Sequence, residues 1–98
     1  MATADDLQRL ALVVGRVVAA EDHPGARAPS YRLTVDLGGE TREATVALPG
    51  LAKDELVGRQ VVCVSAEEEL LVLAAQSHAR GPVLLRPDDE VEDGSLVS

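Results

Sequence analysis

Apolar and polar residues alternate along Tyr31-Arg32-Leu33-Thr34-Val35-Asp36-Leu37, the period-two signature of a strand with one buried face. The run before it, Leu12 to Ala20, is apolar and β-branched almost throughout and predicts a longer strand. Gly15 interrupts that run and predicts a bulge or bend, the usual means of curling a strand around a small barrel. His23-Pro24-Gly25 ends the strand with turn chemistry. Gly38-Gly39 predicts a tight hairpin into a third strand over Thr41 to Leu48, which Pro49-Gly50 breaks. Residues 51–57 predict one or two helical turns, closed by Gly58 at the position after the helix. Apolar runs at residues 60–64, 70–74 and 83–85 predict a fourth, a fifth and a short final strand. Near the start, Asp5 and Gln8 are spaced as a capping box, and Asp6 adds negative charge where a helix dipole favours it. A short N-terminal helix over residues 6–10 follows.

This order is the connectivity of a five-stranded Greek-key barrel of the OB type. The expected protein is therefore mainly β, with one short helix at the N-terminus and another between strands three and four. It forms a single domain over residues 1–98.

Composition narrows the chemistry. With no Phe, no Trp and one Tyr, the core must be aliphatic. A chain of this length buries only roughly 60–70% of its unfolded surface, so a second subunit covering apolar surface would add stability. The single Cys63 excludes an internal disulfide and lies in the apolar run Val61-Val62-Cys63-Val64, which predicts a buried thiol. Met1 to Asp6 has neither the basic nor the apolar segment of a signal peptide, and no stretch reaches the roughly 20 apolar residues of a membrane span. A soluble cytoplasmic protein with no membrane contact is expected.

The net charge is −8, and ten of the seventeen acids lie in residues 44–98 against four basic residues. Such a surface repels phosphate at long range. It also removes the simplest argument for nucleic-acid binding, which draws its affinity from Lys and Arg. Arg16, Arg27 and Arg32 form the one basic cluster legible in the sequence, with Arg16 and Arg32 on neighbouring strands and Arg27 in the adjoining loop. They are either phosphate contacts or solvated surface paired with Glu21, Asp22 or Glu40. His23 either contacts a base or packs as a turn residue on Pro24. Tyr31 is better placed as a core or interface residue than as a stacking platform. His78 has no companion at ligand spacing, and the acidic run Asp88 to Asp93 lacks the spaced ligands of a calcium loop, so neither a metal nor a cofactor is expected. No nucleophile elbow, phosphate loop or Cys/His constellation appears, which predicts a binding module with no catalytic residues.

Four segments together resemble one family. They are Arg9 to Val17, His23-Pro24-x-Ala26 with Pro29-Ser30-Tyr31-Arg32-Leu33, Glu55 to Val61, and the closing Val83-Leu84-Leu85-Arg86-Pro87-Asp88 with Gly94-Ser95. They are similar to the tRNA-binding-domain family, which includes the small chaperone-like CsaA proteins and the C-terminal extension of some methionyl-tRNA synthetases. The resemblance implies an OB barrel, a homodimer and binding of tRNA or another structured RNA. With CsaA as the guide, it also implies a chaperone-like alternative in which unfolded or export-bound polypeptide occupies the same groove. On this footing the nucleic-acid contacts would be Arg16, His23, Arg27 and Arg32, and Leu7 and Leu10 would contribute to the dimer interface. The chain departs from the family between strands four and five. Val64-Ser65-Ala66 runs directly into Glu67-Glu68-Glu69, so the family's basic Pro-Arg turn is deleted and a tight acidic connection is expected instead.

Overall fold

The computed structural model of the chain describes residues 11–23, 30–47 and 51–97. The expected N-terminal helix with Leu7 and Leu10, the Pro24-Gly25 turn, Arg27 and the Pro49-Gly50 break lie outside the described residues. Within them the elements are β1 (Leu12–Asp22), β2 (Tyr31–Asp36), β3 (Thr41–Val46), α1 (Lys53–Leu56), β4 (Gln60–Ser65), β5 (Leu70–Val72), β6 (Ala74–Ser77) and β7 (Gly81–Leu84). The main sheet runs β3-β2-β1-β4-β5 with every neighbouring pair antiparallel. Its two edge strands, β3 and β5, come together to form a nearly closed barrel, as the sequence predicts. Arg42 of β3 crosses the seam between them. Its guanidinium donates to Ser65 Oγ and to the Ala66 carbonyl, both at 2.8 Å.

Curvature comes mainly from β1. Its first half pairs with β4, from Leu12 opposite Val64 to Arg16 opposite Gln60. From Arg16 onward it pairs with β2, with a register shift between Val17 and Ala19. Gly15 sits at this hand-over. A Cβ there would overlap Val35 Cγ1 and stand 2.9 Å from Leu37 Cδ2, so the bend needs glycine for space. The edge of β1 that β2 leaves unpaired is taken by the C-terminal segment. Gly94 N–H donates to the Val14 carbonyl (2.7 Å), Val14 N–H to Ser95 (2.8 Å) and Val97 N–H to Leu12 (3.0 Å). This segment also packs against the β2–β3 turn, where Gly38 (φ +89°) meets Gly94 (φ +92°). A Cβ on Gly38 would overlap the Asp93 carbonyl oxygen, and one on Gly94 would overlap that of Leu37.

The core is aliphatic. Val17, Leu33, Val35, Leu56, Val61 and Cys63 are fully buried. The alternation along β2 places Leu33 and Val35 inward and Arg32 and Thr34 nearer the surface. Helix α1 is a single turn that inserts Leu56 into the core, and it ends at Gly58 with φ +93°. Burial is worth about 1.5–3 kcal/mol for such a side chain, which explains how so short a helix holds its place. Loss of solvation pushes the Cys63 thiol up to about 11, so it is a neutral core group.

The connection between β4 and β5 is tight, as expected. Ser65 pairs with Leu70, and Ala66 N–H donates to the Glu69 carbonyl at 3.0 Å. After it the structure departs from the expected strands. The fifth strand ends at Val72 and does not continue to residue 74. Residues 74–77 instead pair with 81–84 in a separate hairpin. Leu73 N–H still donates to Val62 (2.9 Å), and the returning Leu85 carbonyl accepts from Val62 N–H (3.0 Å). Two chain segments thus satisfy one residue of β4, and the hairpin projects between them. Ala74-Ala75-Gln76-Ser77 has no apolar alternation, so periodicity alone gives no sign of a strand there.

Candidate nucleic-acid interface

Of the four residues singled out from the sequence, Arg27 lies outside the described residues. Arg16 and Arg32 both leave the barrel on strands, opposite Asp36 and Glu21 respectively. They are four residues apart in register along β2, roughly 13 Å at 3.3 Å per residue. His23 stands at the end of β1, its N–H donating to the Ser30 carbonyl at 3.1 Å. Its Nδ1 is buried and has no hydrogen-bond partner among the described residues.

Arg16 is held by acids. Its Nε lies 3.2 Å from both Asp93 carboxylate oxygens, one terminal nitrogen donates to the Gly58 carbonyl at 2.9 Å, and the other pairs with Glu90. The partners differ from the candidates Glu21, Asp22 and Glu40 because the C-terminal segment folds across the start of β1. Buried Gln60 completes the arrangement. Its amide donates to the Val91 carbonyl (2.6 Å) and to Asp93 (2.8 Å), and its oxygen accepts from Val91 N–H (3.0 Å). The Gln60 amide, with Arg16 beside it, holds the Asp93 carboxyl below the usual carboxylate range against the opposing effect of desolvation. Glu90 foremost, then Asp93, raises the Arg16 guanidinium above its ordinary value. This is a clamp that fastens the chain's end to the barrel.

Other cations are engaged as well. Arg42 staples the seam, and Lys53 pairs with Asp22 at 3.1 Å. Arg32 shares a shallow pocket with Glu43 and Glu69. Tyr31 donates its hydroxyl to the Leu51 carbonyl at 2.6 Å and packs against the core, in keeping with the expected core role.

A second basic cluster was not legible in the sequence. Arg59, Arg80 and Arg86 line one pocket of about 510 Å³ together with Leu51, Pro82, Val83 and Leu84. Each arginine is set by a different backbone element. Arg59 precedes β4, with its carbonyl accepting from Val17 N–H (2.9 Å) and its N–H donating to Leu56 (3.1 Å). Arg80 sits in the β6–β7 turn, where its N–H donates to Ser77 Oγ at 3.1 Å. Arg86 follows the Leu85 that rejoins β4. Among the described residues, none of the three side chains has an ion-pair or hydrogen-bond partner. An adjoining pocket of about 500 Å³ shares Arg59, Gln60 and Arg86 and continues to Asp88, Asp89 and Glu90. A groove therefore runs from a basic, apolar-walled end to an acidic one. Among the described residues, no three His, Cys, Asp or Glu side chains are grouped to hold a metal ion, and no helix is long and apolar enough to cross a membrane.

The comparisons with known proteins agree with this architecture. Residues 12–96 match tRNA_bind, a tRNA binding domain. The chain is 34% identical over 103 residues to a methionine–tRNA ligase of Thermococcus onnurineus, an alignment that takes in 95% of this chain but 14% of the ligase. Among solved structures it is similar to the chaperone CsaA of Bacillus anthracis, with a TM-score of 0.86, 31% identity and coverage of 100% of this chain and 99% of that one. The CsaA chaperone protein of Picrophilus torridus gives a TM-score of 0.87 at 26% identity, with both chains fully covered. A five-stranded barrel matched along its whole length, with a family domain spanning nearly all of it, settles the kinship: the chain belongs to the tRNA-binding domain family.

Proposed function

We propose that the protein is a non-catalytic module that binds tRNA or another structured RNA on the outside of its barrel. The observation that carries this reading is the match of residues 12–96 to a tRNA binding domain. The ligase relatives support it too, since the chain corresponds to a small part of them and not to the whole enzyme. Arg32, His23 and Arg27 belong to the proposed contact surface, whereas Arg16 is held by the clamp. A cytoplasmic setting, where tRNA is found, goes with this reading. Titration of the purified protein with bulk tRNA at low and moderate salt tests it. Affinity that falls as salt rises is expected, and no binding at low salt would refute it.

A second reading has one specific observation in its favour. The pocket wall of Leu51, Pro82, Val83 and Leu84 offers apolar surface to an unfolded polypeptide, the kind of ligand expected of a chaperone-like protein. Competition between tRNA and a denatured client protein separates the two readings.

The proposed assembly is a homodimer. Leu85 and Leu96 are exposed on the C-terminal part, Leu96 at 82%, and would join Leu7 and Leu10 in covering apolar surface. A specific interface buries on the order of 1,200 Å² or more in total. Light scattering at micromolar concentration should give twice the chain's 10.3 kDa mass.

A further inference from the structure

We propose that Arg59, Arg80 and Arg86 form a phosphate-binding site for a short unpaired stretch of RNA, in the groove between Leu51, the start of β4 and the β6–β7 hairpin. This rests on the RNA-binding reading above and names the place and the form of RNA it takes. The first argument is availability. Of the basic residues described, Arg16, Arg42 and Lys53 are committed to the clamp, the seam and Asp22. Of the four that remain, three meet in this one pocket, and among the described residues no acid lines it. Three arginines lining one pocket in a molecule of net charge −8 form a local sink for anions within a field that otherwise repels them.

The second argument is shape and polarity. Leu51, Pro82, Val83 and Leu84 give one wall an apolar surface that can cover a ribose or a base while the arginines hold the flanking phosphates. The sole aromatic ring, Tyr31, is packed against the core with its hydroxyl bound to Leu51, so it is no stacking platform. Arginine planes also stack on bases, and three of them supply that surface here.

The third argument is the rim. Where the groove continues past Arg59 and Arg86 it meets Asp88, Asp89 and Glu90. A phosphate chain cannot follow it in that direction. A duplex, with two charged backbones along one axis, would press its second strand against this acidic rim. A single strand, a loop or a free end avoids it.

Fluorescence anisotropy with labelled tRNA, a short single-stranded oligoribonucleotide and its duplex tests the proposal. The wild-type protein should bind the single strand more tightly than the duplex. With three phosphate contacts, single-strand affinity should fall about twentyfold between 50 and 200 mM salt. The combined Arg59→Gln, Arg80→Gln and Arg86→Gln variant should lose about tenfold or more at 50 mM salt and most of the salt dependence. Val83→Glu, on the exposed wall, should weaken binding with all three arginines in place, which covers the case of a triple variant that does not fold. Oligonucleotide affinity unchanged in a folded triple variant would overturn the site while leaving RNA binding by the protein intact. Preference for the duplex would overturn the unpaired form. Groove variants that lose an acidic peptide but keep tRNA would make this a polypeptide site. Wild-type protein that binds no tRNA would overturn the underlying reading itself.

Discussion

Arg16 and Arg59 border the same polar pocket, yet their surroundings differ in sign. Arg16 faces the C-terminal segment, and two carboxylates and a carbonyl take up its guanidinium. Arg59 also borders the neighbouring pocket, whose charged lining among the described residues is Arg59, Arg80 and Arg86. The first arrangement removes a cation from the ligand's reach and holds the fold together. The second leaves three cations on one pocket without an ion-pair partner among the described residues, open to a ligand anion. An arginine's role here is decided by the segment that crosses it, not by its strand.

The sharpest way to break the contrast is to pull the clamp's segment away. Gly94→Ala forces a side chain into a left-handed backbone position and against the Leu37 carbonyl, so it should destabilise the protein by about 1–3 kcal/mol or more in denaturant unfolding. Next in size is Gln60→Leu, which strands the Val91 backbone groups and one side of Asp93. A loss of about 2 kcal/mol is expected in denaturant unfolding. Arg16→Gln should lower the thermal midpoint and spare RNA binding, whereas Arg86→Gln should do the reverse, with stability within about 0.5 kcal/mol of wild type. Finding the two effects exchanged would abolish the distinction between clamp and groove.

The clamp also carries a pH signature. The folded Asp93 carboxyl lies below its unfolded value, so its contribution is complete above the unfolded value of about 3.9. It is lost as the pH falls through the lowered folded value. Asp93→Asn should therefore flatten the acid limb of a stability–pH curve. The smallest expected effect concerns Cys63. Buried, with its thiol pushed up to about 11, it should resist alkylation at pH 8 in folded protein and react on unfolding.

The strands of the barrel were legible because their cause is local. Period-two alternation in Tyr31 to Asp36 places Leu33 and Val35 inside, and Gly15 marks the bend because Val35 comes too close there for a Cβ. The short acidic turn between β4 and β5 followed from the number of residues available. The site was another matter. Arg16 finds Asp93 and Glu90 at separations of 77 and 74 residues, and no pattern along the chain connects them. Arg59, Arg80 and Arg86 meet only because β5 stops at Val72 and a hairpin of weakly patterned residues projects before Leu85 returns to Val62. Burial of apolar side chains is written in the periodicity of each segment. The pairing and clustering of charges depend on which distant segments the closed barrel brings together, and only the tertiary structure decides that.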